Sequence, residues 1–156
     1  MNPQHKGILL VEDDENDVFF MEWSLSKARL DPPVHVAVNG QDAIDYLSGI
    51  AQYSDRDAHP LPQWIFLDLK LPFVHGLEVL EWICEQPSLA DIKVFILTSS
   101  PEERDRQRAA QLGAKAYLIK PPNPQMLLDV LGLTDKSLAV SDNFTSIHCS
   151  ISSVKA

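Results

Sequence analysis

The residues best suited to chemistry are acidic and stand directly after two short apolar segments. Glu12 and Asp13 follow the segment Ile8–Val11, and Asp68 follows the segment 64–67. If both segments form neighbouring parallel strands, their carboxyl ends meet at one edge of a sheet and the carboxylates converge there. Like charges so close repel, so the group needs a bound cation or a raised proton affinity. Carboxylate oxygens favour hard cations such as Mg²⁺, which suits phosphoryl chemistry.

A hydroxyl and an ammonium end two later apolar segments. Thr98 closes the segment 94–98, and Lys120 follows the segment 116–119. In a doubly wound sheet both side chains reach the same edge as Asp68. Lys120 can pair with the carboxylate and then with a phosphoryl oxygen, while Thr98 donates a hydrogen bond to another. Each residue alone also fits a cap or a turn, but their coincidence at one edge favours Asp68 as a phosphoacceptor.

The metal ligands are predicted from the same arrangement. We expect Mg²⁺ to be held by Asp13, by Asp68 and by a backbone carbonyl after Asp68, most simply that of Lys70. Glu12 is expected to act through a bound water, because Mg²⁺ retains part of its hydration shell. The predicted metal site therefore consists of Glu12, Asp13, Asp68 and the Lys70 carbonyl.

Alternating strand-like and helix-like patterns position these side chains. The apolar, strand-like segments are 8–11, 34–38, 64–68, 94–98 and 116–119. Helix-like patterns follow at 16–28, 41–47, 77–84, 102–112 and 123–132. Strand followed by helix, repeated in this way, predicts an α/β fold: a doubly wound parallel sheet with helices on both faces. The segment 34–38 alternates weakly and is expected at an edge of the sheet.

Length, charge and cysteine content limit the classes of function. The chain has 156 residues, enough for about one domain, and its net charge of −9 argues against a nucleic-acid surface. No segment approaches the ~20 apolar residues of a membrane span, and the N-terminus lacks the apolar core of a signal peptide. Cys84 and Cys149 stand far apart, so we expect free thiols in a reducing cytoplasm.

Two segments exceed a minimal fold of five strand–helix units. The segment 49–63 is long for a helix-to-strand connection and has no periodic pattern, so it is either functional or an inert insertion. The final segment, 134–156, is rich in serine and weakly apolar. We expect this tail to be disordered or to drape over a partner.

The chain resembles the receiver domain of response regulators, over roughly residues 7–133. The matching motifs are Val11-Glu12-Asp13, Leu67-Asp68-Leu69-Lys70-Leu71-Pro72, Gly76-Leu77-Glu78-Val79-Leu80, Thr98-Ser99 and Tyr117-Leu118-Ile119-Lys120-Pro121. The resemblance implies a flavodoxin-like sheet with strand order 2-1-3-4-5, in a receiver domain spanning residues 1–133. It also implies Asp68 as the phosphoacceptor, Glu12 and Asp13 as the acidic pair, and Lys120 as the pairing lysine, joined to Pro121 by a cis bond.

Two further residues are implied as a switch. Thr98 is expected to move toward a phosphoryl group on Asp68, and Tyr117 is expected to turn inward into the space that this leaves. The surface around the last helices would then repack, which is a population shift between two packings.

The narrower resemblance is to single-domain regulators that partner bacterial phytochrome histidine kinases, typified in cyanobacteria. It is carried by the long segment with Tyr53-Ser54-Asp55-Arg56 before the third strand. It implies a phytochrome-type sensor histidine kinase as phosphoryl donor and a homodimer, with output through protein contacts and not through DNA. One departure from the family pattern is Phe73-Val74-His75 in place of Gly-Met-Asp, which predicts a bulkier loop near the metal.

Two other classes of function remain open. A phosphatase with an aspartyl nucleophile would carry a second Asp two residues after Asp68, where this chain has Lys70. A pseudo-receiver would keep the fold as a binding module without phosphorylation. The intact acidic group, with Thr98 and Lys120, favours a signalling phosphoacceptor over both, and we therefore do not expect an enzyme.

Overall fold

A parallel five-stranded sheet in the order β2-β1-β3-β4-β5 forms the centre of the molecule. The computed structural model describes residues 7–99 and 102–132. The strands are β1 (Ile8–Val11), β2 (Val34–Ala37), β3 (Trp64–Asp68), β4 (Lys93–Thr98) and β5 (Ala116–Ile119). The predicted fold class and strand order are confirmed, and the weakly alternating β2 lies at an edge.

The helices lie close to the predicted segments. They are α1 (Glu15–Lys27), α2 (Gly40–Ser48), α3 (Gly76–Cys84), α4 (Glu103–Gln111) and α5 (Pro124–Val130). Four of them begin at a side chain that accepts a backbone N–H: Asp14 before α1, Asn39 before α2, His75 before α3 and Asn123 before α5. Helix α2 ends at Gly49, whose φ of 71° is a left-handed conformation that glycine adopts without steric cost.

The sheet is buried on both faces, which explains why its strands are apolar at nearly every position. Successive strand residues point to opposite faces. Leu9, Ile65 and Ile96 belong to the core that includes residues of α2, α3 and α4. Leu10 and Phe66 belong to the core that includes residues of α1 and α5. Polar side chains therefore collect where the strands end.

The segment 49–63 is ordered by one arginine. Arg56 donates hydrogen bonds of 2.8 Å to the carbonyls of Tyr46 and Leu47 at the end of α2, and another of 2.8 Å to His59. The Tyr46 hydroxyl donates to the Pro60 carbonyl at 2.9 Å. The segment thus supplies donors to carbonyls in the last turn of α2, where the helix has fewer backbone N–H groups to offer.

One expectation about the chain is wrong, and others fall outside the described residues. Cys84 is not a free thiol, because its sulfur is in a disulfide. Cys149 and the tail 134–156 lie outside the described residues, as does position 133 at the predicted domain boundary. In the part of the chain that the structure describes, every helix is too short or too polar to cross a membrane.

Candidate functional site

Three carboxylates converge at the carboxyl end of the sheet. Strand β1 pairs in parallel with β3, so that Val11 lies opposite Leu67. The residue that follows each of these two is acidic: Glu12 after Val11 and Asp68 after Leu67. One oxygen from each of Glu12, Asp13 and Asp68 lies within 4.8 Å of the other two. Glu12 and Asp68 are buried, whereas Asp13 is exposed. The structure therefore brings together the acidic residues that the sequence predicted to converge.

Lys120 faces this acidic cluster from the end of β5. Its Nζ lies 2.8 Å from Glu12 Oε1 and 3.3 Å from Asp68 Oδ2. The backbone at Lys120 is held in place by a 2.8 Å hydrogen bond from its N–H to the Thr98 carbonyl. The predicted cis bond between Lys120 and Pro121 is confirmed. The ammonium is thus directed at the predicted phosphoacceptor.

A third acidic residue, Asp17, completes the environment of the ammonium. Its Oδ2 lies 2.7 Å from the Lys120 Nζ, closer than either Glu12 or Asp68. Asp17 stands in the first turn of α1. It was not predicted from the sequence, where it stands three residues after Asp14, the residue that caps α1.

Burial and charge oppose each other in this cluster. Burial raises the pKa of Glu12 to about 7, although the hydrogen bond from Lys120 works in the opposite direction. Burial likewise raises the pKa of Asp68 against the pull of Lys120. Burial disfavours the charge on Lys120, but hydrogen bonds to Asp17 and Glu12 outweigh it and raise the pKa of the ammonium. The lysine therefore stays charged, and the acids favour additional positive charge.

The donor set fits a hard divalent cation. The three clustered groups are all carboxylates, and oxygen ligands of this kind suit Mg²⁺ or Mn²⁺ better than a softer metal. The Asp68 carboxylate also accepts a long hydrogen bond of 3.4 Å from the Lys70 N–H. The Lys70 carbonyl as a ligand stays a prediction.

The two implied switch residues lie at the ends of neighbouring strands. Thr98 is buried at the end of β4, next to the backbone of Lys120. Tyr117 on β5 is also buried, with only 4% of its surface exposed. Its ring packs in the core shared by α2, α3 and α4, and the inward turn of Tyr117 on phosphorylation stays a prediction.

The loop between β3 and α3 departs from the family pattern in a way that the structure explains. Phe73 has a φ of 68° and is 86% exposed, so its bulk points into solvent. His75 caps α3, because its Nδ1 accepts from the Leu77 N–H at 3.1 Å. Gly76 is required: a Cβ there would lie 2.3 Å from the Asp68 carbonyl oxygen.

Comparison with known proteins identifies the family. The model for the response regulator receiver domain matches residues 8–132. The chain belongs to the response regulator receiver domain family. Receiver domains are the signalling phosphoacceptors of two-component systems, and a histidine kinase is the partner that membership implies.

Similar receivers include regulators named for phytochromes. Response regulator Rcp1 from Synechocystis sp. is 35% identical over 118 residues, which are 76% of this chain and 78% of Rcp1. The bacteriophytochrome response regulator AtBRR superposes with a TM-score of 0.74 at 37% identity, covering 88% of this chain and 98% of AtBRR. The phosphorylated cyanobacterial phytochrome response regulator RcpA gives a TM-score of 0.70 at 31% identity, covering 82% and 89%.

A metal-bound form of Rcp1 is also similar to this receiver. The Mn²⁺-bound structure superposes with a TM-score of 0.71 at 30% identity, covering 86% of this chain and 99% of Rcp1. In the present receiver, the corresponding chemistry is available from the carboxylates of Glu12, Asp13 and Asp68, which could hold a divalent cation.

Proposed function

We propose that this receiver accepts a phosphoryl group on Asp68 from the phosphohistidine of a sensor histidine kinase, in a Mg²⁺-dependent reaction. The observation that carries the proposal is the Lys120 ammonium, which lies 2.8 Å from Glu12 and 3.3 Å from Asp68 at the end of the sheet. A buried nucleophilic carboxylate with a fixed cation beside it matches the charge that develops during phosphoryl transfer.

The residues divide the chemistry between them. An Asp68 carboxylate oxygen attacks phosphorus as the bond from phosphorus to the kinase histidine nitrogen breaks, and the imidazole keeps the electron pair of that bond. Lys120 pairs with a phosphoryl oxygen, and the Thr98 hydroxyl donates a hydrogen bond to another. Mg²⁺ bound by Glu12, Asp13 and Asp68, with the Lys70 carbonyl, would neutralise charge on the transferring group.

Relatives support the nature of the donor and of the ion. RcpA was solved as a phosphorylated phytochrome response regulator, Rcp1 with Mn²⁺ bound, and AtBRR is a bacteriophytochrome response regulator. We therefore propose a phytochrome-type histidine kinase as the donor and a change in protein–protein contacts, including homodimerisation, as the output. The Cys84 disulfide removes the cysteine argument for a cytoplasmic location, which now rests on the proposed kinase partner.

Incubation with acetyl phosphate and Mg²⁺, followed by intact mass spectrometry, tests the phosphoacceptor. We expect one phosphoryl adduct on the wild type and none on Asp68→Asn, because the amide is a poor nucleophile. Asp91→Asn serves as the control, because it removes an exposed carboxylate far from Asp68 in the sequence. This variant should take up one phosphoryl group like the wild type.

Metal removal completes this test. Chelation of divalent ions should stop adduct formation, and Asp13→Asn should raise the Mg²⁺ concentration that is needed. An adduct that persists on Asp68→Asn, or a wild type that takes up no phosphate, would contradict the proposed function.

A further inference from the structure

The shortest ion pair of Lys120 is made with a residue that the proposed reaction does not use. The Lys120 Nζ lies 2.7 Å from Asp17, 2.8 Å from Glu12 and 3.3 Å from Asp68. Asp17 is not part of the carboxylate cluster that could hold a metal ion. The ammonium is therefore drawn most closely to an acid on α1 and lies farthest from the phosphoacceptor.

The two acids that hold the ammonium differ in how easily they can release it. The Glu12 side chain is only 2% exposed, so leaving it without its cation would bury an uncompensated charge. The Asp17 side chain is 32% exposed, and water can solvate it once the ammonium has moved. Asp17 is thus the partner that Lys120 can give up at least cost.

The side chains around the Asp17–Lys120 pair are mostly apolar. Apolar side chains of Phe20, Met21 and Leu97, with Pro121 and Pro122, line a small cavity beside the Asp17–Lys120 pair. Few water molecules can therefore reach the ammonium in place of a carboxylate or a phosphoryl oxygen. A phosphoryl group on Asp68 and the carboxylate of Asp17 compete for the same positive charge.

We propose that Asp17 is a positioning residue that holds Lys120 back from Asp68 and so limits how fast the receiver is phosphorylated. The proposal rests on the proposed function of Asp68 and deepens it by naming a residue that tunes the reaction. Asp17 acts through Lys120 and has no contact of its own with the phosphoryl group in this scheme.

The test compares phosphorylation rates at fixed acetyl phosphate and Mg²⁺. Asp17→Asn is expected to react roughly threefold to fivefold faster than the wild type, the upper part of the range that a partly exposed ion pair corresponds to. Asp17→Glu keeps the carboxylate and should return the rate toward that of the wild type. Glu15→Gln removes one negative charge from the same turn of α1 and should change the rate less than twofold.

A double-mutant cycle with Lys120→Ala shows whether the effect passes through the lysine. In that background Asp17→Asn should no longer change the residual rate, because the group it releases is absent. Thermal unfolding of every variant confirms that each one is folded, and calorimetry of Mg²⁺ binding should show affinities of wild type and Asp17→Asn within about twofold.

The outcomes separate this proposal from the function on which it rests. A wild type that is not phosphorylated overturns both. A phosphorylated wild type with an Asp17→Asn variant that is no faster overturns the role of Asp17 alone. Equal acceleration in Glu15→Gln, or acceleration that persists without Lys120, would also overturn it, because a general change in charge would then explain the rate.

Discussion

The ammonium of Lys120 allows two carboxylates, Glu12 and Asp68, to remain buried at the end of the sheet. Without a nearby cation, burial alone would favour their protonated forms. The same ammonium is held by Asp17, so one side chain connects Asp68, the proposed phosphoacceptor, with the first helix. Small changes around this lysine are therefore expected to alter the reaction more than changes elsewhere on the surface.

A second titratable residue, His35, lies away from the site in a cluster of rings. It stacks on Tyr46 with centroids 4.3 Å apart, and Tyr53 and His59 meet it edge-on. Burial lowers the pKa of His35; the charge of Asp42 works against this shift, and His59 adds to it. The folded protein thus favours the neutral imidazole.

The low pKa of His35 predicts a loss of stability in mild acid. Because the ordinary pKa is 6.5, the unfolded chain binds more protons than the folded protein below that pH. The contribution is complete above pH 6.5 and is lost as the pH falls toward the folded pKa, with a slope of at most about 1.4 kcal/mol per pH unit. Urea unfolding across this range should show a smaller pH dependence for His35→Phe, which keeps the stacked ring; equal slopes would contradict the assignment.

At the scale of elements, the end of α2 depends on Arg56. Its guanidinium donates to the carbonyls of Tyr46, Leu47 and His59, so it caps the helix and fixes the segment 49–63 together. The structure thus gives this insertion a structural role.

Arg56→Ala should therefore destabilise the fold. It leaves three carbonyls without a charged donor, which is expected to lower the free energy of unfolding by about 1.5–3 kcal/mol. Amide hydrogen exchange should rise within 49–63 before it rises in β1 or β3. Arg104→Ala, on the exposed face of α4, is the matched control and should cost less than about 0.5 kcal/mol. Unchanged exchange in Arg56→Ala would show that the segment is held by other contacts.

The elements could be predicted from sequence because their signals are local. Strand β3 is a run of apolar residues that ends in Asp68, and helix α5 begins with an Asn-Pro pair that caps it. The contacts around Lys120 are not local. Asp17 and Lys120 are 103 residues apart, and no pattern in either segment indicates that they pair. Likewise, the role of Arg56 depends on carbonyls at the end of a different element, which sequence periodicity does not reveal.

At the scale of the whole molecule, the site and the surface near α4 and α5 are connected through β4 and β5. The Lys120 N–H donates a backbone hydrogen bond to the Thr98 carbonyl. Tyr117 lies in β5, the strand that Lys120 directly follows. Tyr117 is buried in this structure, and its inward turn on phosphorylation stays a prediction. We propose movement of Lys120 toward a phosphoryl group as a further part of the switch.

Lys120→Ala tests the connection between phosphorylation and assembly. We expect the variant to accept phosphate from acetyl phosphate with Mg²⁺ but to show no change in association state, because the cation that senses the phosphoryl group is missing. Light scattering with and without the donor measures this. Lys115→Ala removes an exposed lysine just before β5 and should respond like the wild type. A normal response of Lys120→Ala would exclude the lysine from the coupling.

The close approach of Gly76 to the Asp68 carbonyl has a practical consequence. A single methyl group at this position cannot be accommodated unless the start of α3 or the end of β3 is displaced, because the clash is with backbone atoms. Gly76→Ala is therefore expected to displace the backbone at Asp68, the proposed phosphoacceptor, without removing any side chain of the site. Such a variant offers a way to silence the receiver by geometry alone, with its charge and its reactive groups unaltered.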